Sequence, residues 1–131
     1  MLSLAFEPIH RVLLSRFSGA FTYDDITRSD KATLQTLGRE GAARGILDFS
    51  AVDRVEVSAP QLRHRARQPP IAAGQKRIFV VTTPALAAIA WSYAALHQEF
   101  TGTELQVVET LDEAYDLLRL SDPRFEPMAL P

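Results

Sequence analysis

The sequence predicts an α/β domain with a mostly parallel sheet, its elements running β-β-α-β-α-β-α-β-α. Two observations carry this expectation. The segments "RGILDF" and "KRIFVV" are short, continuously apolar runs, as central parallel strands covered on both faces should be. Around them lie segments that open with helix-start chemistry. Strands therefore alternate with helices, and such strands pair in parallel through right-handed crossovers.

Each element has its own signature. "LSLAFE" alternates, with Leu2, Leu4 and Phe6 on one face and Ser3, Ala5 and Glu7 on the other, which predicts a half-exposed edge strand. "PIH" turns it into "RVLLSRFSG", a second strand ended by Gly19, and the two make an antiparallel hairpin. "FTYDDITRSDKATLQTLGREG" is a helix. Thr22 is placed to cap it, Asp24 and Asp25 suit the positive end of its dipole, and Phe21 and Ile26 have the spacing of a hydrophobic staple. Gly38 fits the position just past its end.

After "RGILDF", the helix "SAPQLRHRAR" begins at Ser58. After "KRIFVV", Thr83 and Pro84 supply an N-cap and a first-turn proline for a helix reaching Phe100. "ELQVVE" is the last parallel strand, and Thr110 with Glu113 forms a capping box for "TLDEAYDLLRL". "SDPRFEPMALP" has two interior prolines and no periodicity. It reads as an irregular tail over 121–131, leaving a single domain over 1–120.

Composition narrows the function classes. The 131 residues are enough for one domain with a core of its own, and no linker divides them. A net charge of −2 gives no global basic field for nucleic acid or anionic membrane. The absence of cysteine removes disulfides, thiolate nucleophiles and cysteine-based zinc sites. The start "MLSLAFEPIHR" lacks the pattern of a secretory signal, and the most apolar run, "ALAAIAWSYAAL", is too short to span a bilayer. The chain reads as cytoplasmic, without a transmembrane segment.

No catalytic apparatus emerges from the pattern. His10, His64 and His97 are scattered, there is no G-x-S-x-G elbow, and neither a P-loop nor a G-x-G-x-x-G occurs. Asp48, Asp53 and Glu56 show no metal-ligand spacing. The reading is a non-enzyme with no cofactor and no metal.

Three features remain as candidate sites. Ser58 is either a helix cap or a phosphoacceptor. As a cap its hydroxyl would bond the amide of Gln61, whose side chain reaches back, with Val57 and Leu62 as a staple. A phosphate there would meet helix-terminal amides, although Pro60 deletes one of them. The second feature is a surface of Asp48, Ser50, Asp53, Arg63 and Arg67. Asp48 ends its strand either emerging at the sheet rim or capping the amides of 50–52. Arg63 and Arg67 share a helix face suited to an acidic partner or an anionic group, or simply to solvent.

The third feature lies between residues 84 and 100. Leu86, Ile89, Tyr93, Leu96 and Phe100 step at helical spacing and predict a core stripe. The opposite face carries Ala87, Ala88, Trp91, Ala94 and Ala95, with no charge. Such a face wants a second cover: a homodimer partner, a small apolar ligand, or the chain's own tail.

The element order together with "LDFSAVDRVEVSAPQL" resembles the STAS domain, the fold of the anti-sigma-factor antagonist SpoIIAA and of many small bacterial SpoIIAA-like proteins. Asp48, Phe49, Ser50, Val52 and Ser58 stand where that family places a strand-ending Asp, a loop, and a serine opening the second helix. "RFSGAFTYDDI", "KRIFVVTTPA" and "VVETLDEAYDLL" add to the likeness, which spans nearly all of 1–120. Where antagonist-type members carry Asp-Ser-Ser/Ala-Gly, this chain has Glu56-Val57-Ser58-Ala59-Pro60, and it is more similar to the SpoIIAA-like branch. The resemblance implies a mostly parallel sheet wound as a β-α superhelix. It also implies a non-enzymatic, regulatory interaction module with a protein partner, or a carrier of a small apolar, lipid-like or anionic ligand.

Overall fold

The structure, a computed structural model, describes residues 1–72 and 74–131. Six strands form one sheet in the order β5-β4-β3-β2-β1-β6. The strands are β1 (Leu2–Glu7), β2 (Val12–Phe21), β3 (Arg44–Val55), β4 (Arg77–Val80), β5 (Gln106–Val108) and β6 (Glu126–Met128). β2 through β5 pair in parallel, and β1 is antiparallel to β2, so the predicted hairpin and crossovers are present.

Side-chain alternation sorts the sheet into two faces. Leu2, Leu4, Leu13, Phe17, Phe79 and Leu105 point to one side, where α1 (Tyr23–Glu40), α2 (Ala59–Ala66) and α3 (Pro84–Thr101) lie. Val12, Leu14, Ile46, Ile78 and Val80 point to the other and pack on α4 (Leu111–Leu117), whose Ala114 is sealed against them with Leu118 just beyond. Both central faces are thereby covered, as the continuous apolar runs require.

The tail expected to be irregular supplies a sixth strand. Residues 126–128 pair antiparallel with β1, Phe125 stacks on Tyr115 at 6.0 Å, and Met128 and Leu130 pack on the core. β1 is consequently not an edge. Glu7, assigned to its polar face, is buried and accepts hydrogen bonds from the backbone N–H and Nδ1 of His10 in the hairpin turn. Two prolines had concealed the strand, because proline denies it one ladder donor without preventing edge pairing.

β2 and β3 both run past their predicted ends. Gly19 does not stop β2; with φ +67 it sits at a register shift, where Val52, Asp53 and Arg54 span the step from Gly19 to Ala20. A second shift lies between Arg16 and Ser18, opposite Asp48 to Ala51. Each is a bulge on β3, and bulges bend a strand and sharpen its twist. β3 thus continues to Val55, and the "loop" after Asp48 is bulged strand.

The helix entrances lie where their sequence signals put them, although the box expected at Thr110 is half formed: Glu113 Oε1 accepts from the Thr110 hydroxyl instead of its backbone N–H. Thr22 and Ser58 each complete a capping box, and Thr83 and Thr110 accept from the third helical amide. Asp25 closes the Thr22 box. The exit of α1 differs: the helix continues through Gly38 and ends at Gly41, whose φ of +86 only glycine adopts cheaply. A methyl added at Gly38 meets nothing within 4 Å. Replacement Gly38→Ala should therefore stabilise the protein by roughly 0.5–1 kcal/mol. Gly41→Ala should cost about 1–3 kcal/mol. Urea unfolding of the two variants checks the assignment.

Candidate functional site

A cavity lies between the sheet and the helices. It has a volume of about 90 Å³ and is walled by β2, β3, β4 and Leu105 on one side and by α1, α2 and α3 on the other. Its floor is a run of aromatic rings contributed by neighbouring strands at alternate positions. Phe17 stacks on Phe49 at 4.9 Å, Phe21 meets Phe49 edge-on at 5.1 Å, and Phe79 meets Phe49 at 5.8 Å. The run continues through Tyr93, 5.9 Å from Phe79, to His97, which stacks on Tyr93.

The opposite end of the cavity is polar. Arg65 of α2 donates from Nε and Nη2 to the two carboxylate oxygens of Asp30 on α1, at 2.8 and 3.1 Å. This two-pronged pair joins the helices across the cavity. Arg77, the first residue of β4, projects from the same sheet face as Phe79 and forms no ion pair or side-chain hydrogen bond among the described residues. Burial pulls its guanidinium below the usual arginine range, opposed by the nearby Asp30 carboxylate. Tyr93 is pushed above the ordinary phenol value by burial.

His97 is sealed on α3, with Nδ1 2.7 Å from the Ala66 carbonyl. A carbonyl only accepts, so the proton sits on Nδ1. Burial lowers the imidazole below its ordinary 6.5, outweighing that hydrogen bond, and the charges of Arg65 and Arg77 act in the same direction.

The residues singled out from sequence fall in three separate places. Ser58 is exposed at the start of α2, its Oγ accepting from Gln61 N–H at 3.2 Å while its own N–H donates to Gln61 Oε1 at 2.9 Å. The cap is present. Asp48 is buried on the α4 face of β3, where it accepts from the Ser50 N–H at 2.9 Å and lies 3.6 Å from Arg16 Nε. The bulge frees that amide from the ladder and Asp48 satisfies it, so Asp48 does not emerge at a rim.

Ser50 and Asp53 are exposed along the bulged strand. Arg63 and Arg67 are exposed on α2, on the other side of the sheet from Asp48, and Arg67 stacks over Phe100 at 4.9 Å. The five residues therefore do not form one surface. Asp48 is structural, and the exposed four lie along the β3 end and α2.

The stripe of α3 is rotated from its expected position. Ala90, Ala94 and His97 are the buried residues, with Leu86, Ala87 and Tyr93 beside them. Ile89 and Phe100 are half out, and Ala94 faces the core instead of a second surface. Small residues let the helix approach a sheet face already filled by Phe49, Phe79 and Leu105, and the larger side chains splay to the flanks. Trp91 is 58% exposed and, with Ala88 and Ala95, turns away from the cavity.

Sequence reading missed the cavity and its polar end. Arg65 lies within "SAPQLRHRAR", Asp30 within the first helix and Arg77 at the start of "KRIFVV", and no local pattern joins them. One signal was available: Phe17, Phe49 and Phe79 recur on successive strands at positions of one parity.

His97 should make stability pH-dependent. Its folded pKa is depressed, so the unfolded chain takes up the proton more readily. The contribution is complete above 6.5 and is lost as pH falls below it. The urea midpoint of the wild type should drop between pH 7 and 5.5, and His97→Gln should flatten that slope.

No protein-family model and no curated protein matches the chain. Among solved structures, the anti-sigma factor antagonist SpoIIAA in its unphosphorylated form aligns with a TM-score of 0.59 at 12% identity, over 91% of this chain and 99% of that one. The alignment spans nearly the whole of both chains, and the chain has the SpoIIAA-like STAS fold.

Proposed function

We propose that the protein is a non-enzymatic, cytoplasmic interaction module that engages a protein partner through the start of α2 and the adjoining end of β3. The observation that carries this reading is the fold shared with SpoIIAA over 91% of this chain, a protein named an anti-sigma factor antagonist. The local geometry supports it. Asp53 on the end of β3, Ser58 at the start of α2, and Arg63 and Arg67 towards its end are all exposed, and the hydroxyl of Ser58 is accessible for modification. Proline at the second helical position removes one amide from any phosphate cradle there, which favours a constitutive contact over a phosphorylation switch.

Charge reversal of Arg63 and Arg67 to Glu should abolish capture of a specific partner, identified by mass spectrometry, while the urea midpoint shifts by less than about 1 kcal/mol in stability. Capture undiminished by the double variant would refute this surface.

A second reading, a carrier of a small apolar ligand, is favoured by the cavity itself. Its lining is dominated by Phe, Leu, Ile and Val side chains, as ligand sites usually are. Native mass spectrometry of freshly purified protein should show a bound mass removed by denaturation. Loss of the signal in Ala90→Trp, which places an indole in the cavity, would locate it.

A further inference from the structure

The cavity is asymmetric along its length, and its asymmetry selects a ligand class. Arg77 opens β4, Arg65 closes α2 and His97 lies late on α3, so these polar groups gather beneath the N-terminal ends of the parallel strands. Val55 ends β3 and Ile89 lies early on α3, so they stand at the C-terminal ends; they are 36% and 37% exposed and form the cavity's mouth. The cavity is thus apolar at its more exposed end and polar at its inner end.

Two polar atoms at the inner end have no partner among the described residues. Arg65 is 8% exposed, yet its Nη1 makes no hydrogen bond, because Asp30 takes only Nε and Nη2. Ser29, about two turns of α1 from the cap and 3% exposed, lines the same cavity with an Oγ that is likewise unpaired. Leaving a buried donor unmade costs a native structure more than a typical hydrogen bond returns. Both lie beside Arg77, which is also unpaired among the described residues.

The charges do not balance. Arg65 and Arg77 bring two positive charges, and Asp30 brings one negative. Tyr93 and His97, the remaining titratable groups of the lining, are both held neutral by burial at pH 7. One positive charge is left over in a low-dielectric pocket, and a single negative charge would neutralise it.

Size adds the final constraint. A volume of about 90 Å³ is smaller than the roughly 150 Å³ that encloses benzene, so the interior takes a head group and a few carbons, with the rest of the ligand reaching to the mouth.

We propose that this cavity is a binding site for a short-chain monocarboxylate that enters head first, its carboxylate meeting Arg77, Arg65 Nη1 and Ser29 Oγ and its apolar chain lying along the phenylalanine floor. The proposal rests on the carrier reading and adds the identity of the head group. Small shifts of the Ser29 and Arg65 side chains bring their unpaired atoms to the carboxylate oxygens.

The test is an amide NMR titration of the intact protein with hexanoate and, separately, with 1-hexanol. Hexanoate should shift the amides of Ser29, Leu62 and Tyr93 while leaving the Trp91 indole unmoved, and should bind at least about tenfold tighter than 1-hexanol. Arg77→Met should erase that preference. Ser29→Ala, which removes only an unpaired hydroxyl, should weaken hexanoate by a few-fold and leave 1-hexanol unchanged. Equal affinities for the two probes would overturn the carboxylate assignment while leaving the carrier reading standing. Absence of any shift with both probes would overturn both. A preference that survives in Ser29→Ala and in Arg77→Met would overturn the assigned head-group contacts.

Discussion

The ion pair between Arg65 and Asp30 holds the helical layer in its arrangement. α2 is eight residues long, too short to be stable by itself, and only Arg65 and Ala66 of it are buried. Its place is set by three connections: the bidentate pair to α1, the carbonyl of Ala66 accepting a hydrogen bond from His97 Nδ1–H on α3, and Leu62 packed on the core. Such a pair gains little net stability over an apolar replacement, since both charges lose water. Its value here is geometric. A planar fork on a carboxylate fixes distance and angle together, and so keeps α1 and α2 apart by the width of the cavity.

The same constraint links the two faces of α2. Arg63 and Arg67 point outward, while Arg65 points inward to the cavity. Adjacent odd-numbered residues on one short helix thus belong to a surface and to a binding pocket. Any ligand that engages Arg65 Nη1 acts on the element that presents Ser58 and the outer arginines. If both the proposed ligand and the proposed partner bind, they meet on one short helix, and any coupling between two such sites is reciprocal by linkage.

Much of the fold was legible because its signals are local. Capping threonines and serines, staples and first-turn prolines announce helix starts within four residues, and all four were read at the right positions. What escaped depends on distant partners. Gly19 and Gly38 read as stops because glycine is a frequent stop; one instead sits in a bulge set by β3 and the other inside a helix carried by its packing. The strand at 126–128 needs β1 to exist at all. Asp48 read as a strand end because the bulge that satisfies it is a property of two strands, not of one. The cavity was hidden for the same reason: Asp30, Arg65 and Arg77 are separated widely in sequence, and only the crossovers bring them together.

The sixth strand has a consequence for solubility. A sheet edge with free amides and carbonyls invites another chain to extend it, and β1, six residues long and strongly apolar on one face, would be a ready template. β6 covers three residues of it and places Pro127 at the new margin, opposite Ala5. That proline has no N–H to offer a newcomer. The chain's last residues thus act as a selvage, finishing the fabric of the sheet on one side so that it does not knit onto its neighbours in a crowded cell.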